Sequence, residues 1–306
     1  MRAVVCTGYG PPDVLKLTEV EKPIPGDGQV LIRIHAATVH IGDTRIRRAD
    51  PFFVRLYFGL GKPKRAPVLG MELAGEIESI GKNVTNFKKG DKVFAFAGFK
   101  FGAHAEYICL HAVSRKGKIE KNGLVAKMPG NLSFGEAAAV PAGAITVLKV
   151  FQKAKIRKGQ KILINGASGS LGTYSVQMAR SLGADVTGVC STGNIDLVRS
   201  LGASEVIDYT KEDFTKIGEK FDFIFDAVGK TSPSKCKGIL AKDGRFLTTN
   251  GLDKIDPGDL DRLREMIEKE EIKPVIDRTY NLDQIEEAHG YVDKGHKKGN
   301  VVINIG

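Results

Sequence analysis

The sequence predicts an α/β protein in which a doubly wound parallel sheet, covered by helices on both faces, is joined to a β-rich module. Three observations predict it. Beyond residue 160, apolar strands alternate with helical segments; before residue 128, short strands are separated by glycine turns; and a G-x-x-G-x-x-G run stands where the first α/β strand meets its helix. At 306 residues the chain is long enough for two domains, since single cores stop growing efficiently beyond roughly 250–300 residues.

The β-rich part comes first. Gln29–Ala36 alternates well enough for a half-buried strand after the turn Pro25-Gly26-Asp27-Gly28. Residues 75–80 alternate polar and apolar before turning at Gly81-Lys82-Asn83, and Lys89-Gly90-Asp91 turns into a strand at Lys92–Phe96. Period-two alternation bounded by glycine turns is the strand signature. After Pro129, Ser133-Phe134-Gly135-Glu136 is a capping box opening an apolar helical stretch, 137–151, around Pro141 and Gly143. From Lys161 the pattern runs strand 161–165, helix 170–182, strand 185–190, helix 194–201 and strands at 205–209, 221–228 and 245–249, then a helix at 259–269. Strands apolar on both faces with helices between them argue for a parallel sheet. The tail reads extended (273–280), helical (282–294) and extended (300–305), and can return to the first module.

The bulk numbers narrow the classes. A hydrophobic fraction of 42% and a charged fraction of 27% are those of a globular protein, so disorder is not expected. The opening Met1–Cys6 soon meets Gly10-Pro11-Pro12, too short an apolar run for a secretory signal, and no stretch approaches a membrane span. A cytoplasmic protein is therefore expected. Cys6, Cys109, Cys190 and Cys236 are scattered too widely for a disulfide framework or a metal knuckle, and read as packing residues. Part of the net charge of +10 is local: 45–65 holds seven cations against Asp50, a net +6, interleaved with Phe52, Phe53, Tyr57 and Phe58. Such a segment suits a nucleic acid, a lipid surface or an anionic ligand, or is a solvated loop near a site entrance; nucleic acid is not the expected partner.

The chemistry is carried by Gly166-Ala167-Ser168-Gly169-Ser170-Leu171-Gly172. The motif alone is weak, but here it follows an apolar strand, opens a helix and precedes a second strand at βαβ distance. Gly166 and Gly169 permit a tight turn and close approach to a pyrophosphate, and Gly172 lets helix and strand pack. The amides and dipole at the helix start then hold the anion. A Rossmann-type domain binding a nicotinamide dinucleotide follows. Where the second strand ends, the ribose-binding acid is replaced by Ser191-Thr192-Gly193-Asn194, which does not repel a 2′-phosphate. NADPH is therefore expected over NADH, although no Arg or Lys stands in this turn.

Together with 70–84 (Gly70-Met71-Glu72 through Val84) and Lys89–Val93, the chain resembles the medium-chain dehydrogenase/reductases, and more closely their zinc-independent quinone oxidoreductase branch. The resemblance extends through 136–141, the glycine loop, 190–192, 206–209, 226–229 and 295–303. It implies a GroES-like catalytic domain, 1–128 plus 272–306, around an inserted Rossmann domain, 129–271. It also implies that His40, Asp43 and Tyr57 position the substrate. Thr146, Val228, Asn250 and Asn300 would lie toward the nicotinamide, and Tyr209 toward the adenosine. Asp43 is equally read as a turn carboxylate, and His40 as a packed residue. Zinc-dependent relatives carry cysteine at His40, histidine at Met71 and cysteine near Pro141, so no zinc is expected. Without a metal to hold an alkoxide, the expected acceptor is already electrophilic, a quinone or an α,β-unsaturated carbonyl, helped by donors aimed at its oxygen. The alternatives are a zinc-free NADP-dependent alcohol dehydrogenase and an inactive dinucleotide-binding interaction protein. The chain departs from the family after Gly251, where residues 252–258 lead at once into a helix in place of a strand that pairs across a dimer. A homodimer is therefore left open.

Overall fold

Alternating apolar residues build the first sheet. In this computed structural model, which describes residues 1–251 and 254–306, the early strands are β1 (Arg2–Cys6), β2 (Leu15–Glu19), β3 (Gln29–Thr38), β4 (Glu72–Ile80), β5 (Lys92–Phe96), β6 (Tyr107–His111) and β7 (Leu124–Lys127). Helices α1 (Ile41–Arg48), α2 (Val54–Phe58), α3 (Ile119–Asn122) and α4 (Phe134–Ala138) lie between and after them. Strand β3 is longer than its alternation suggests and is buried along most of its length, because β4 and β6 both pair with it. Gly75 is required at this crossing: a Cβ there would meet the Arg33 carbonyl oxygen at 2.1 Å.

The capping box forms as read. Ser133 Oγ accepts from the Glu136 amide at 3.3 Å, and Glu136 accepts from the Ser133 amide at 2.9 Å. The helical stretch after it is not continuous. α4 stops at Ala138 and α5 (Pro141–Ala154) begins at the proline, which has no N–H with which to extend the preceding helix.

The middle of the chain forms β8 (Lys161–Asn165), α6 (Ser170–Ser181), β9 (Asp185–Cys190), α7 (Ile195–Ser200), β10 (Glu205–Asp208), β11 (Phe221–Asp226), α8 (Pro233–Cys236) and β12 (Leu240–Leu247). The sheet order is β10-β9-β8-β11-β12, and every pairing is parallel. Leu163, Val189, Phe221, Ile224 and Cys236 form its buried core. The last strand begins at Leu240 and ends at Leu247, earlier than the 245–249 expected, with Thr248 accepting from the Asn250 amide in a turn beyond it. The chain winds from β8 outward through β9 and β10, then returns to the other side of β8 with β11. Asn165 and Asp226 thus end neighbouring strands at the switch point, where open α/β sheets place their ligands.

After α9 (Asp259–Glu268), the tail forms β13 (Ile276–Asn281), α10 (Ile285–Asp293) and β14 (Asn300–Asn304). β14 adds antiparallel to β3, with Thr38 opposite Val302 and Ala36 opposite Asn304. α10 packs on α1. There the fully buried Arg47 donates to the Gly10 carbonyl, to the Asp293 carboxylate and, from Nε at 3.4 Å, to His289 Nδ1.

Two compact units result: Met1–Ala142 with Lys254–Glu268 and Ile276–Gly306, and Gly143–Asp253 with Lys269–Val275. Their edges differ from the division that the resemblance implies, 1–128 plus 272–306 around 129–271. α4 packs on β3 and β4, and α9 packs on β7, so both helices belong with the first unit. The beginning of the short 252–258 connection, Leu252 and Asp253, lies outside the described residues.

Candidate functional site

In the second unit the glycine loop closes on itself. Gly169 N–H donates to the Gly166 carbonyl at 3.1 Å, and the Gly166 and Ala167 amides both donate to Val189 O, fixing the turn to β9. Gly166 has φ +82°, and a Cβ there would meet Val228 Cγ1 at 2.4 Å. A Cβ on Gly172 would lie 2.1 Å from the Gly166 oxygen, so α6 approaches β8 only because this residue is glycine. Gly169 differs: its Cβ would meet nothing nearer than that oxygen at 3.6 Å, leaving the concave side open. Helix geometry leaves the first-turn amides of α6 without intrahelical acceptors, with the positive dipole end behind them. Ser170 and Leu171 form that turn. This open cradle fits a pyrophosphate.

Beside it the structure groups Ser168, Ser191, Asn194 and Val228, which are far apart in sequence. Asn194 Nδ2 donates to Ser168 Oγ and Ser191 Oγ, both at 3.1 Å, while its Oδ1 is buried without a partner among the described residues. Val228 is exposed beside Gly166, and Tyr209 is exposed after β10, its amide bonded to Cys190 O. Thr146 lies on α5 and Asn250 in the exposed turn after β12. Asn300 is buried at the start of β14, in the first unit.

Two acids here escaped the sequence reading. Asp226 accepts from Asn165 Nδ2 (3.1 Å) and from the amides of Val228, Gly229 and Thr231 (3.2, 3.0 and 2.9 Å), moulding the loop against Gly166. Its signal was a carboxylate ending the apolar run Phe221–Phe225. Asp208, at the end of β10, accepts from Thr192 Oγ1 at 2.5 Å and from Thr210 Oγ1 at 2.7 Å. The Thr192 bond, against the cost of burial and with Thr210 adding, holds its carboxyl below the usual range. A carboxylate thus does stand near the end of β9, contributed by the next strand and turned onto hydroxyl donors.

In the first unit, polar side chains gather where β3 ends and β4 begins. His40 caps α1. Its Nδ1 accepts from the Gly42 amide at 3.0 Å, which leaves the proton on Nε2. Burial first, with the Lys297 and Arg45 cations adding, pushes its pKa down to about 4, so the ring is a neutral donor at ordinary pH. Asp43 is fully buried, and its two oxygens accept from the His40 and Gly70 amides at 2.8 and 2.9 Å. That geometry supports the turn-carboxylate reading. Tyr57 is exposed on α2, with the Arg65 guanidinium 5.2 Å from its ring.

Glu72, also buried, accepts from the Ala142 amide and has one oxygen without a partner among the described residues. Burial, reinforced by Asp43, raises its carboxyl well above the ordinary value, with Lys297 opposing. Lys297 donates from Nζ to Gly299 O at 2.5 Å. Burial pulls its ammonium down to about 8, against the pull of Glu72 and Asp277. Lys297 was not singled out from sequence, where it was one lysine among many. Met71 Sδ lies close to the first turn of α1, 2.9 Å from where a Gly42 Cβ would be. No group of three or more His, Cys, Asp or Glu that could hold a metal occurs among the described residues.

An open phosphate cradle at a Rossmann switch point in one unit, and a buried polar cluster on a β-rich unit, define the class: a two-domain, dinucleotide-dependent enzyme. Residues 26–149 match the alcohol dehydrogenase GroES-like domain, and residues 170–294 the zinc-binding dehydrogenase domain. The chain is 34% identical to a 2-methylene-furan-3-one reductase of Solanum lycopersicum, over 99% of this chain and 79% of that protein. It is 30% identical to a chloroplastic NADPH-dependent alkenal/one oxidoreductase of Arabidopsis thaliana, with the same coverage. A solved quinone oxidoreductase from Coxiella burnetii superposes with a TM-score of 0.87 at 26% identity, covering 100% of this chain and 99% of that one. The chain belongs to the medium-chain dehydrogenase/reductase family, in its quinone oxidoreductase-like branch. It is an NAD(P)H-dependent oxidoreductase with the GroES-like and Rossmann-type folds that the family combines.

Proposed function

We propose that the chain is an NADPH-dependent, zinc-independent reductase of quinones or α,β-unsaturated carbonyls, acting in the cytoplasm. The observation that carries the reading is the glycine cradle with Ser191, Thr192 and Asn194 at its rim and Asp208 turned away onto hydroxyl donors. Bound NADPH supplies a hydride from its nicotinamide ring. The chain's own residues bind and polarise. The cradle and the start of α6 hold the pyrophosphate, Ser191 and Asn194 receive the 2′-phosphate, and the loop shaped by Asp226 presents Val228. His40 Nε2–H offers a neutral donor to an acceptor oxygen as negative charge grows on it, a contribution of up to roughly 3 kcal/mol where such a donor is well aimed. The tomato and Arabidopsis relatives, a 2-methylene-furan-3-one reductase and an NADPH-dependent alkenal/one oxidoreductase, support the choice of acceptor.

The test is NADPH against NADH consumption across a panel of quinones and enones, with chelator present and metal content measured on the same sample. Turnover preferring NADPH in metal-free enzyme is expected. A silent panel, metal-dependent turnover, or oxidation of simple alcohols with NADP+ in its place would overturn the proposal.

A further inference from the structure

Apart from Tyr57, the segment 45–65 is not absorbed by the reductase chemistry. It displays Phe52, Phe53, Leu56 and Leu60 at 72, 67, 73 and 71% exposure, all within nine residues. Arg45, Arg48, Lys62, Lys64 and Arg65 are exposed around them in sequence, against one exposed acid, Asp50. The segment is held in place. Val54 and Phe58 are buried beneath α2, Tyr9 Oη donates to Gly59 O at 2.6 Å, and the Arg65 amide donates to Phe58 O at 3.1 Å. Phe101 packs edge-on against Phe58 at 5.8 Å.

A solvated loop has no reason to spend four large apolar side chains in this way. Nucleic acid is a poor match, because Leu56 and Leu60 offer nothing to stack on. Two of the exposed rings already carry a cation: the Arg55 guanidinium lies 5.3 Å from the Phe52 ring, and that of Arg65 5.2 Å from the Tyr57 ring. A second copy is disfavoured too, since a two-fold interface would set one segment with five exposed cations against another. Apolar side chains projecting from a rigid, cationic base fit one surface, an anionic lipid bilayer. The geometry points to the segment 45–65 as a docking surface for anionic membrane, with Phe52, Phe53, Leu56 and Leu60 entering the headgroup region and the flanking cations facing the lipid charge. The attachment is peripheral; no described helix is long and apolar enough to cross a membrane.

The experiment is co-sedimentation of the full chain with vesicles of phosphatidylcholine alone or mixed with phosphatidylglycerol, at low and high salt. Binding to the mixed vesicles that falls with salt is expected. Lys62→Ala with Lys64→Ala weakens the partition roughly 20- to 30-fold, since each cation near an anionic surface is worth about fivefold. Phe53→Ser with Leu56→Gln weakens it by about tenfold or more. All four side chains are exposed, and unchanged melting temperatures verify folding. Equal binding by the variants and the parent, no preference for anionic vesicles, retention on an oligonucleotide without lipid binding, or self-association abolished by the Phe53/Leu56 variant without lipid binding would each overturn the inference.

Discussion

The glycine cradle of the second unit and the polar cluster of the first prepare for charge in opposite ways. Around the cradle the backbone does the work: Gly166 and Gly172 set the shape, loop amides bonded to Val189 O and Gly166 O fix the turn, and Asp226 is satisfied by four donors. In the cluster the side chains do the work, and they are strained electrostatically. Glu72 keeps one oxygen without a partner among the described residues, Lys297 is pulled down to about 8 and His40 to about 4. A preorganised backbone binds an anion at little cost in reorganisation, whereas buried ionisable groups store free energy that a change of protonation releases.

The largest effect should come from breaking the cradle's shape. Gly172→Val drives a side chain into the Gly166 carbonyl and should weaken NADPH binding by more than ~100-fold and lower the melting temperature. Gly169→Ala sharpens the point. Its Cβ meets nothing closer than 3.6 Å, so the fold should keep its melting temperature while NADPH, read by fluorescence titration, binds about tenfold more weakly. Next comes Asp226→Ala, which strands the Asn165 amide and three backbone N–H groups. Urea unfolding should show a loss of about 3 kcal/mol. In the cluster, His40→Ala should lower kcat roughly tenfold without altering NADPH affinity. Because the ring stays neutral down to about pH 4, His40 should add no inflection to the kcat profile between pH 5 and 8.

The smallest effect is on stability against pH. Lys297 is depressed in the folded chain, from 10.5 to about 8, so between those values the unfolded chain holds more of its proton. Stability from this group therefore rises with pH across that window, by at most about 1 kcal/mol per pH unit, and its cost is present in full below about 8. Lys297→Met should flatten that slope in urea unfolding followed from pH 7.5 to 10.5. An unchanged slope would show that the ammonium is well solvated.

The two regions also differ in how far they could be read in advance. The cradle is seven consecutive residues between a strand and a helix, so shape, spacing and physical reason are all local. The parallel sheet was legible for the same reason. The cluster joins His40, Glu72 and Lys297 from distant parts of the chain, and only the pairing of β14 with β3 places Lys297 near the others' charge. Asp208 reaches Thr192 through the pairing of β9 with β10, a tertiary fact that no reading of the β9 turn contains. The two amides that Asp43 accepts from come from residues 40 and 70, so only the fold brings the second to it, and Pro141 divides the helix that apolar periodicity predicts.

The pairing of β14 with β3 has a consequence for how the chain reaches its fold. The five-stranded sheet of the second unit lies in one contiguous stretch, 161–247, so its contacts are available early during synthesis. The first unit's sheet needs residues 300–304 beside residues 36–38, and Arg47 on α1 waits for His289 and Asp293 on α10 to satisfy its buried guanidinium. Such long-range closure is slow and comes late. On the ribosome, the nucleotide-binding sheet should therefore mature first, while residues 1–128 stay open to chaperones until the last strand arrives.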